Sequence, residues 1–438
     1  MRAAFPPTIF SVATRWSCRL RQVVAVLLVG GTASVRAADA NSREDRVPPY
    51  SVPDVLQDPL APTGSSRATT PESWRSTVRP ALRRIFEREV YGPSVPEVSE
   101  LRWRVVAEGA AEWGGSVGGV LRREVVLETG GGSGRRLLHG VVWLPRREGV
   151  RVPVFVGMHL FDTAAPAPVV ARPREAGLDA TTTGLAVGRR ILERGYALAS
   201  LDIADLAPDS LAQFRSGVLS AAGFSRTGPT GDDEPGALAA WAWGLSRFLD
   251  YTLQAPGLDG SRVIAIGHSR MGKAALWAGA CDERFAAVIS NNSGCGGAAL
   301  NRRWFGETVG IITRAFPYWF GGRFRSYAGR ESELVVDQHQ LLALIAPRPL
   351  YVASAEADAW ADPRGEYLAL WHASPVWSLH GLAGLASSNS PPVDQPVGTV
   401  IRYHVRRGQH DLTDYDWDRY LDFADRQVCA GAPGSAAR

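Results

Sequence analysis

The segment Arg262–Leu276 restricts what this chain can become more than any other stretch. Val263-Ile264-Ala265-Ile266 is a short apolar run suited to a buried strand. Gly267-His268-Ser269-Arg270-Met271-Gly272 then turns, and Lys273-Ala274-Ala275-Leu276 opens a helix of small residues. A serine at a tight strand-to-helix turn sits in strained backbone and projects its hydroxyl above the strand end, the arrangement of a nucleophile elbow. Ser269 is therefore the candidate nucleophile. A helix N-cap serine is the plainer alternative, but it leaves the flanking strand and the small-residue helix unexplained. The spacing is G-x-S-x-x-G, one residue longer than the common hydrolase signature.

The rest of the chain supplies a sheet for such an elbow to stand on. Thr70-Pro71-Glu72 opens a helix with Trp74, Val78, Leu82, Ile85 and Phe86 on one face, and Gly92-Pro93 ends it. The alternating runs Leu101 to Val106 and Arg122 to Leu127 read as antiparallel strands at a sheet edge. Short apolar strands follow at Val154 to Met158, Tyr196 to Leu201, Val263 to Ile266, Ala286 to Ile289, Leu350 to Ser354 and Val400 to Val405. Helices are expected through Val187, Ile191 and Leu192, over Ala237 to Leu253, and over residues 416–428. Near-continuous apolar strands alternating with helices imply a mostly parallel central sheet with helices on both faces, a three-layer α/β sandwich. Together with the elbow this is the α/β-hydrolase fold. Residues 203–235, rich in Asp, Gly, Ser and Pro, read as a long loop near the site.

A serine hydroxyl needs a base, and in this fold the chain order is serine, acid, histidine. His410 follows the last strand and precedes the closing helix, so it is the candidate base; His404 lies inside the strand, and His268 abuts the serine on the turn. The acid belongs on the loop after Leu350 to Ser354, which reads Ala355-Glu356-Ala357-Asp358-Ala359-Trp360-Ala361-Asp362-Pro363. Asp358 is the first choice and Glu356 the second, while Asp362 before a proline suits a turn or a helix cap.

These residues resemble the glucuronoyl esterases, carbohydrate esterase family 15. The resemblance rests on Gly267 to Lys273, on Ala355 to Pro363, on Gly408-Gln409-His410 with Asp416-Trp417, and on Trp241 to Leu245; it spans roughly residues 75–428. It implies hydrolysis of the ester between the (4-O-methyl-)glucuronate branch of xylan and a lignin alcohol. It also implies roles: Ser269, His410 and Asp358 as triad, Arg270 supporting the oxyanion, and Lys273, Glu307 and Trp360 binding the sugar. The plainer alternatives are a surface Lys273, a Glu307 paired to Arg302 or Arg303, and a packed Trp360. Two departures stand out. Where some members carry a catalytic glutamate on the strand after the elbow helix, this chain has Ser290-Asn291-Asn292-Ser293; and His159 stands in a turn where relatives often show glycine and asparagine.

Hydrophobic residues make up 45% and charged residues 21%, as in a globular chain with an ample core. Residues 1–37 hold five arginines, no acidic residue, the apolar run Val23 to Val29 and a small-x-small end at Val35-Arg36-Ala37, the pattern of a signal peptide. The apolar run is too short to cross a bilayer as a helix. Without those five arginines the formal charge of +4 becomes −1, which removes the charge argument for a nucleic-acid or membrane partner. The expected organisation is a leader at 1–37, an extended arm at 38–72, one catalytic domain at 73–430 and a tail at 431–438. The product is a secreted or periplasmic monomer acting on glucuronoxylan or lignin–carbohydrate esters. Cys281, Cys295 and Cys429 allow at most one disulfide, and no CxxC or HExxH pattern occurs. Neither a metal nor an organic cofactor is expected.

Overall fold

In the computed structural model the described residues are 40–61, 66–98, 100–111, 119–129, 135–160 and 180–430. The expected leader at 1–37 and tail at 431–438 lie outside them. Among the described residues, ten strands form one sheet in the order β1-β2-β3-β5-β4-β6-β7-β8-β10-β9. They are β1 Leu101–Ala111, β2 Val120–Thr129, β3 Arg136–Pro145, β4 Val152–Met158, β5 Ala197–Asp202, β6 Leu258–His268, β7 Ala287–Asn291, β8 Leu350–Ala355, β9 Val397–Gly398 and β10 Ile401–Arg406. The run from β5 through β4, β6, β7 and β8 to β10 is parallel; β1, β2 and β3 extend it antiparallel at one edge and β9 at the other.

The side-chain period of two divides each strand between two apolar layers. Val263, Ala265, Leu350 and Val352 face one core, built with helices Ala237–Gln254, Arg270–Cys281 and Pro363–Leu379. Ile264, Ile266, Tyr351 and Ala353 face the other, where Ile191, Trp417 and Leu421 come from the helices Ala180–Glu193 and Asp414–Ala424. Because both faces are covered, the central strands read as unbroken apolar runs, and the α/β-hydrolase fold expected from them is the one observed. Strand β3 was not anticipated. Leu137 to Leu144 is buried on both faces apart from His139, so no alternation marks it.

The first helix begins at a capping box, with Thr70 and Ser73 satisfying each other's backbone N–H groups. Of the arm, Asn41 O accepts the N–H of Gly306 at 2.7 Å, and Glu44 pairs with Arg303 at 2.6 Å. Cys281, Cys295 and Cys429 are free thiols. No helix among the described residues is long and apolar enough to cross a membrane.

Candidate active site

The carboxyl ends of the parallel strands converge on the elbow, as expected where ligands bind open α/β sheets. At the end of β6, Ser269 has φ 56° and ψ −130°, outside the regions that non-glycine residues ordinarily occupy. Its hydroxyl makes no capping hydrogen bond to the helix it precedes, so the cap reading fails on geometry. The strain is imposed by closeness: a Cβ on Gly267 would lie 2.1 Å from Met271 O. The first bond of the turn is Gly272 N–H to Ser269 O at 2.9 Å, which places the N–H groups of Arg270 and Met271 ahead of it at the helix start.

His410 and Asp358 meet across the loops after β10 and β8. His410 Nδ1 lies 2.6 Å from Asp358 Oδ2. Burial alone would raise the Asp358 carboxyl, but bonds from His410 and Asn292 outweigh it and hold the group below the usual carboxylate range. The two loops are tied directly, Glu356 N–H to Arg406 O at 2.9 Å and Ala357 N–H to Gly408 O at 3.0 Å. Arg406 braces the histidine loop from inside through the carbonyls of Arg407, Gln409 and Asp411. Glu356 is exposed, pairs with Arg407 at 4.0 Å, and makes no hydrogen bond or ion pair with the imidazole. Asp362 caps the helix Pro363–Leu379 by accepting Gly365 N–H at 2.9 Å.

His268 faces His410, with ring centroids 4.5 Å apart. Asn291 donates through Nδ2 to Asp416 at 3.1 Å and to Tyr420 at 2.8 Å, so its oxygen accepts from His268 Nδ1 at 2.6 Å. Burial, and next the charge of His410, push His268 down to about 3, so it is neutral near neutral pH. His404 is fully buried between Tyr351 and Asp416.

The turn after β7 supplies residues that sequence reasoning passed over. Asn292, at φ 47°, donates through Nδ2 to Asp358 Oδ2 at 2.7 Å. Glu366 accepts the N–H groups of Ser293 and Gly294 at 2.8 and 2.9 Å and the hydroxyl of Ser354 at 2.5 Å. Burial pushes Glu366 up to about 7 against those bonds. The missing carboxylate at 290–293 was visible in the sequence; that an amide would brace the acid from there was not.

Lys273 is 4% exposed rather than at the surface, and Nζ donates to Ser293 O at 2.6 Å and Cys295 O at 2.7 Å. Glu307 Oε2 lies 3.7 Å from it. Arg302 pairs instead with Asp337 and Arg303 with Asp362 and Glu44. Burial raises the Glu307 carboxyl, with Lys273 opposing. Glu307 N–H donates to Trp360 O at 2.9 Å, and Trp360 is 36% exposed. Arg270 ion-pairs through Nε with Asp209 at 2.8 Å. His159, at φ 47° after β4, gives its own N–H to Leu201 O at 2.9 Å, so that N–H is not free to serve an oxyanion.

A serine on a strained elbow, a histidine paired to a buried carboxylate and an arginine beside the serine together suit acyl transfer. Comparison with known proteins gives the same direction. Residues 230–381 match the family model described as glucuronyl esterase of fungi. A carbohydrate esterase of an unknown prokaryotic organism is 36% identical over 415 residues, covering 90% of this chain and 93% of the relative. The chain belongs to carbohydrate esterase family 15, the glucuronoyl esterases. Membership makes it a carboxylic ester hydrolase. Among solved structures, the glucuronoyl esterase from Solibacter usitatus superposes with a TM-score of 0.77 at 37% identity, covering 88% of this chain and all of that one. A family 15 esterase from a marine bacterial metagenome, described as promiscuous, superposes with a TM-score of 0.76 at 35% identity over 89% of this chain.

Proposed function

We propose that the protein is a serine esterase that cleaves the ester joining glucuronic acid of xylan, with or without its 4-O-methyl group, to a lignin alcohol. His410, oriented by Asp358, takes the proton from Ser269 Oγ, and the alkoxide attacks the uronate carbonyl. Arg270 and the first N–H groups of the elbow helix hold the oxyanion. His410 protonates the departing alcohol, and water repeats the sequence on the acyl-enzyme. The observation that carries this reading is the 2.6 Å contact between His410 Nδ1 and Asp358 Oδ2, on the loops after β10 and β8, in the same parallel run of the sheet as the elbow strand β6.

The sugar preference draws on family membership and on one corner of the site. Lys273, Glu307 and the exposed Trp360 adjoin through the 2.9 Å bond from Glu307 N–H to Trp360 O. An indole face accepts the apolar side of a pyranose ring, and the charged pair addresses its hydroxyls. The arginine-rich leader supports export to the periplasm or the medium, where a monomer meets glucuronoxylan or lignin–carbohydrate esters.

Initial rates on benzyl glucuronate, benzyl galacturonate and an aryl acetate test the reading. The expected order puts kcat/KM for the glucuronate at least about tenfold above the others, a discrimination of roughly 1.4 kcal/mol. An equal or faster rate on the acetate overturns the uronate preference, and no turnover of any ester overturns the activity.

A further inference from the structure

The segment after β5 carries a carboxylate that no motif announces. Asp209 Oδ2 lies 2.8 Å from Arg270 Nε. Its other oxygen, Oδ1, accepts the Tyr318 hydroxyl at 2.8 Å and the Trp319 indole N–H at 2.7 Å. Neither donor is free to wander. Tyr318 and Trp319 are each 6% exposed, and the Trp319 ring stacks on Phe316 at 3.7 Å with an interplanar angle of 2°. Their carbonyls accept the N–H groups of Ala237 and Leu238 at the start of the helix Ala237–Gln254. The same helix holds the Asp209 segment from the other side, through Trp241 Nε1 to Ala207 O at 2.8 Å.

An arginine whose side chain is 40% exposed would otherwise sample many rotamers. A guanidinium offers five N–H donors in a fixed fork. The closest approach to Asp209 is made by Nε, at the inner end of that fork, as an ion pair without an aligned hydrogen bond, and the terminal nitrogens of Arg270 make no hydrogen bond to a described residue. We propose that Asp209 is a positioning residue: it fixes the Arg270 guanidinium beside the elbow and leaves its terminal N–H groups free for the oxyanion formed on the Ser269 acyl adduct. A preorganised donor costs no reorientation when charge develops, which is where such groups contribute most to rate. The inference rests on the proposed role of Arg270. It concerns the oxyanion rather than the sugar, so any ester the protein turns over can test it.

The test is a double-mutant cycle of Asp209→Asn and Arg270→Ala, with kcat and KM measured on benzyl glucuronate and on an aryl acetate. Removing one oxyanion donor costs on the order of 100-fold to 1000-fold in kcat. Asp209→Asn is expected to lower kcat by about tenfold or more with KM changed by less than about threefold. In the Arg270→Ala background the same substitution is expected to change kcat by less than about twofold, because the group it positions is gone. Tyr318→Phe, which removes one of the bonds holding the carboxylate, is expected to give a smaller loss that also vanishes in that background. It carries the cycle if Asp209→Asn lacks the parent's near-ultraviolet circular dichroism. Equal losses in both backgrounds, a loss confined to KM, or a faster Asp209→Asn enzyme (a carboxylate that merely damped the arginine charge) each overturn the proposal. Coupling on the acetate without turnover of the glucuronate would sink the sugar preference and leave this inference standing.

Discussion

His410 and Asn292 address the same oxygen of Asp358, His410 through Nδ1 at 2.6 Å and Asn292 through Nδ2 at 2.7 Å. The other oxygen of the carboxylate accepts Ala361 N–H at 3.3 Å. A buried acid with three donors stays ionised and has one orientation, so it can hold a single tautomer of the imidazole.

Replacing that acid should therefore be far more damaging than replacing its neighbour. Asp358→Asn is expected to lower kcat by on the order of 1000-fold or more, since an amide favours the wrong tautomer of His410. Glu356→Gln, two residues away and exposed, is expected to stay within about twofold. Steady-state kinetics on benzyl glucuronate separates them; a larger loss from Glu356→Gln would move the acid to that position.

Glu366 offers a test by pH. Burial holds its carboxyl at about 7 in the folded chain, above the ordinary value of 4.5. Below the ordinary value both states are protonated and the group costs nothing. As pH rises toward 7 the unfolded chain ionises first, so stability falls, by about 3 kcal/mol once both states are charged. Glu366→Gln resembles the protonated acid and is expected to raise the midpoint of urea unfolding at pH 8 but not at pH 4. A substitution that destabilises at pH 8 would show that the ionised form is the one the turn at Ser293 requires.

Lys273 and Glu307 are both nearly enclosed, and breaking such a pair leaves a charge stranded. Lys273→Met is expected to cost about 3 kcal/mol in urea unfolding at pH 7. Adding Glu307→Gln should recover part of that loss, because the remaining carboxylate is then neutral. Simple addition of two separate losses would mean that the residues do not sense each other.

What was legible in the sequence was local or followed chain order. Ser269 showed itself because strand, turn and helix are contiguous from Val263 to Leu276, and the α/β-hydrolase fold followed from the apolar strands around it. His410 and Asp358 were placed by the order of strands. Strand β3 was missed because burial on both faces erased its alternation. Asp209 lies 61 residues before Arg270, in a segment whose composition says only loop; its function depends on a tertiary contact. Glu366 sits inside a helix whose apolar pattern hides a buried acid. The pairing of Glu307 was similarly open, since Arg302 and Arg303 are nearer in sequence and only the packed structure assigns them to other acids.

The most direct measurement is the rate of benzyl glucuronate hydrolysis by Ser269→Ala beside the parent, with circular dichroism confirming that both are folded. Removal of a triad nucleophile costs on the order of a millionfold in kcat. The expected result is therefore a fall of at least about 10,000-fold, to near the limit of detection. Turnover within about tenfold of the parent would contradict the assignment of Ser269 as the nucleophile.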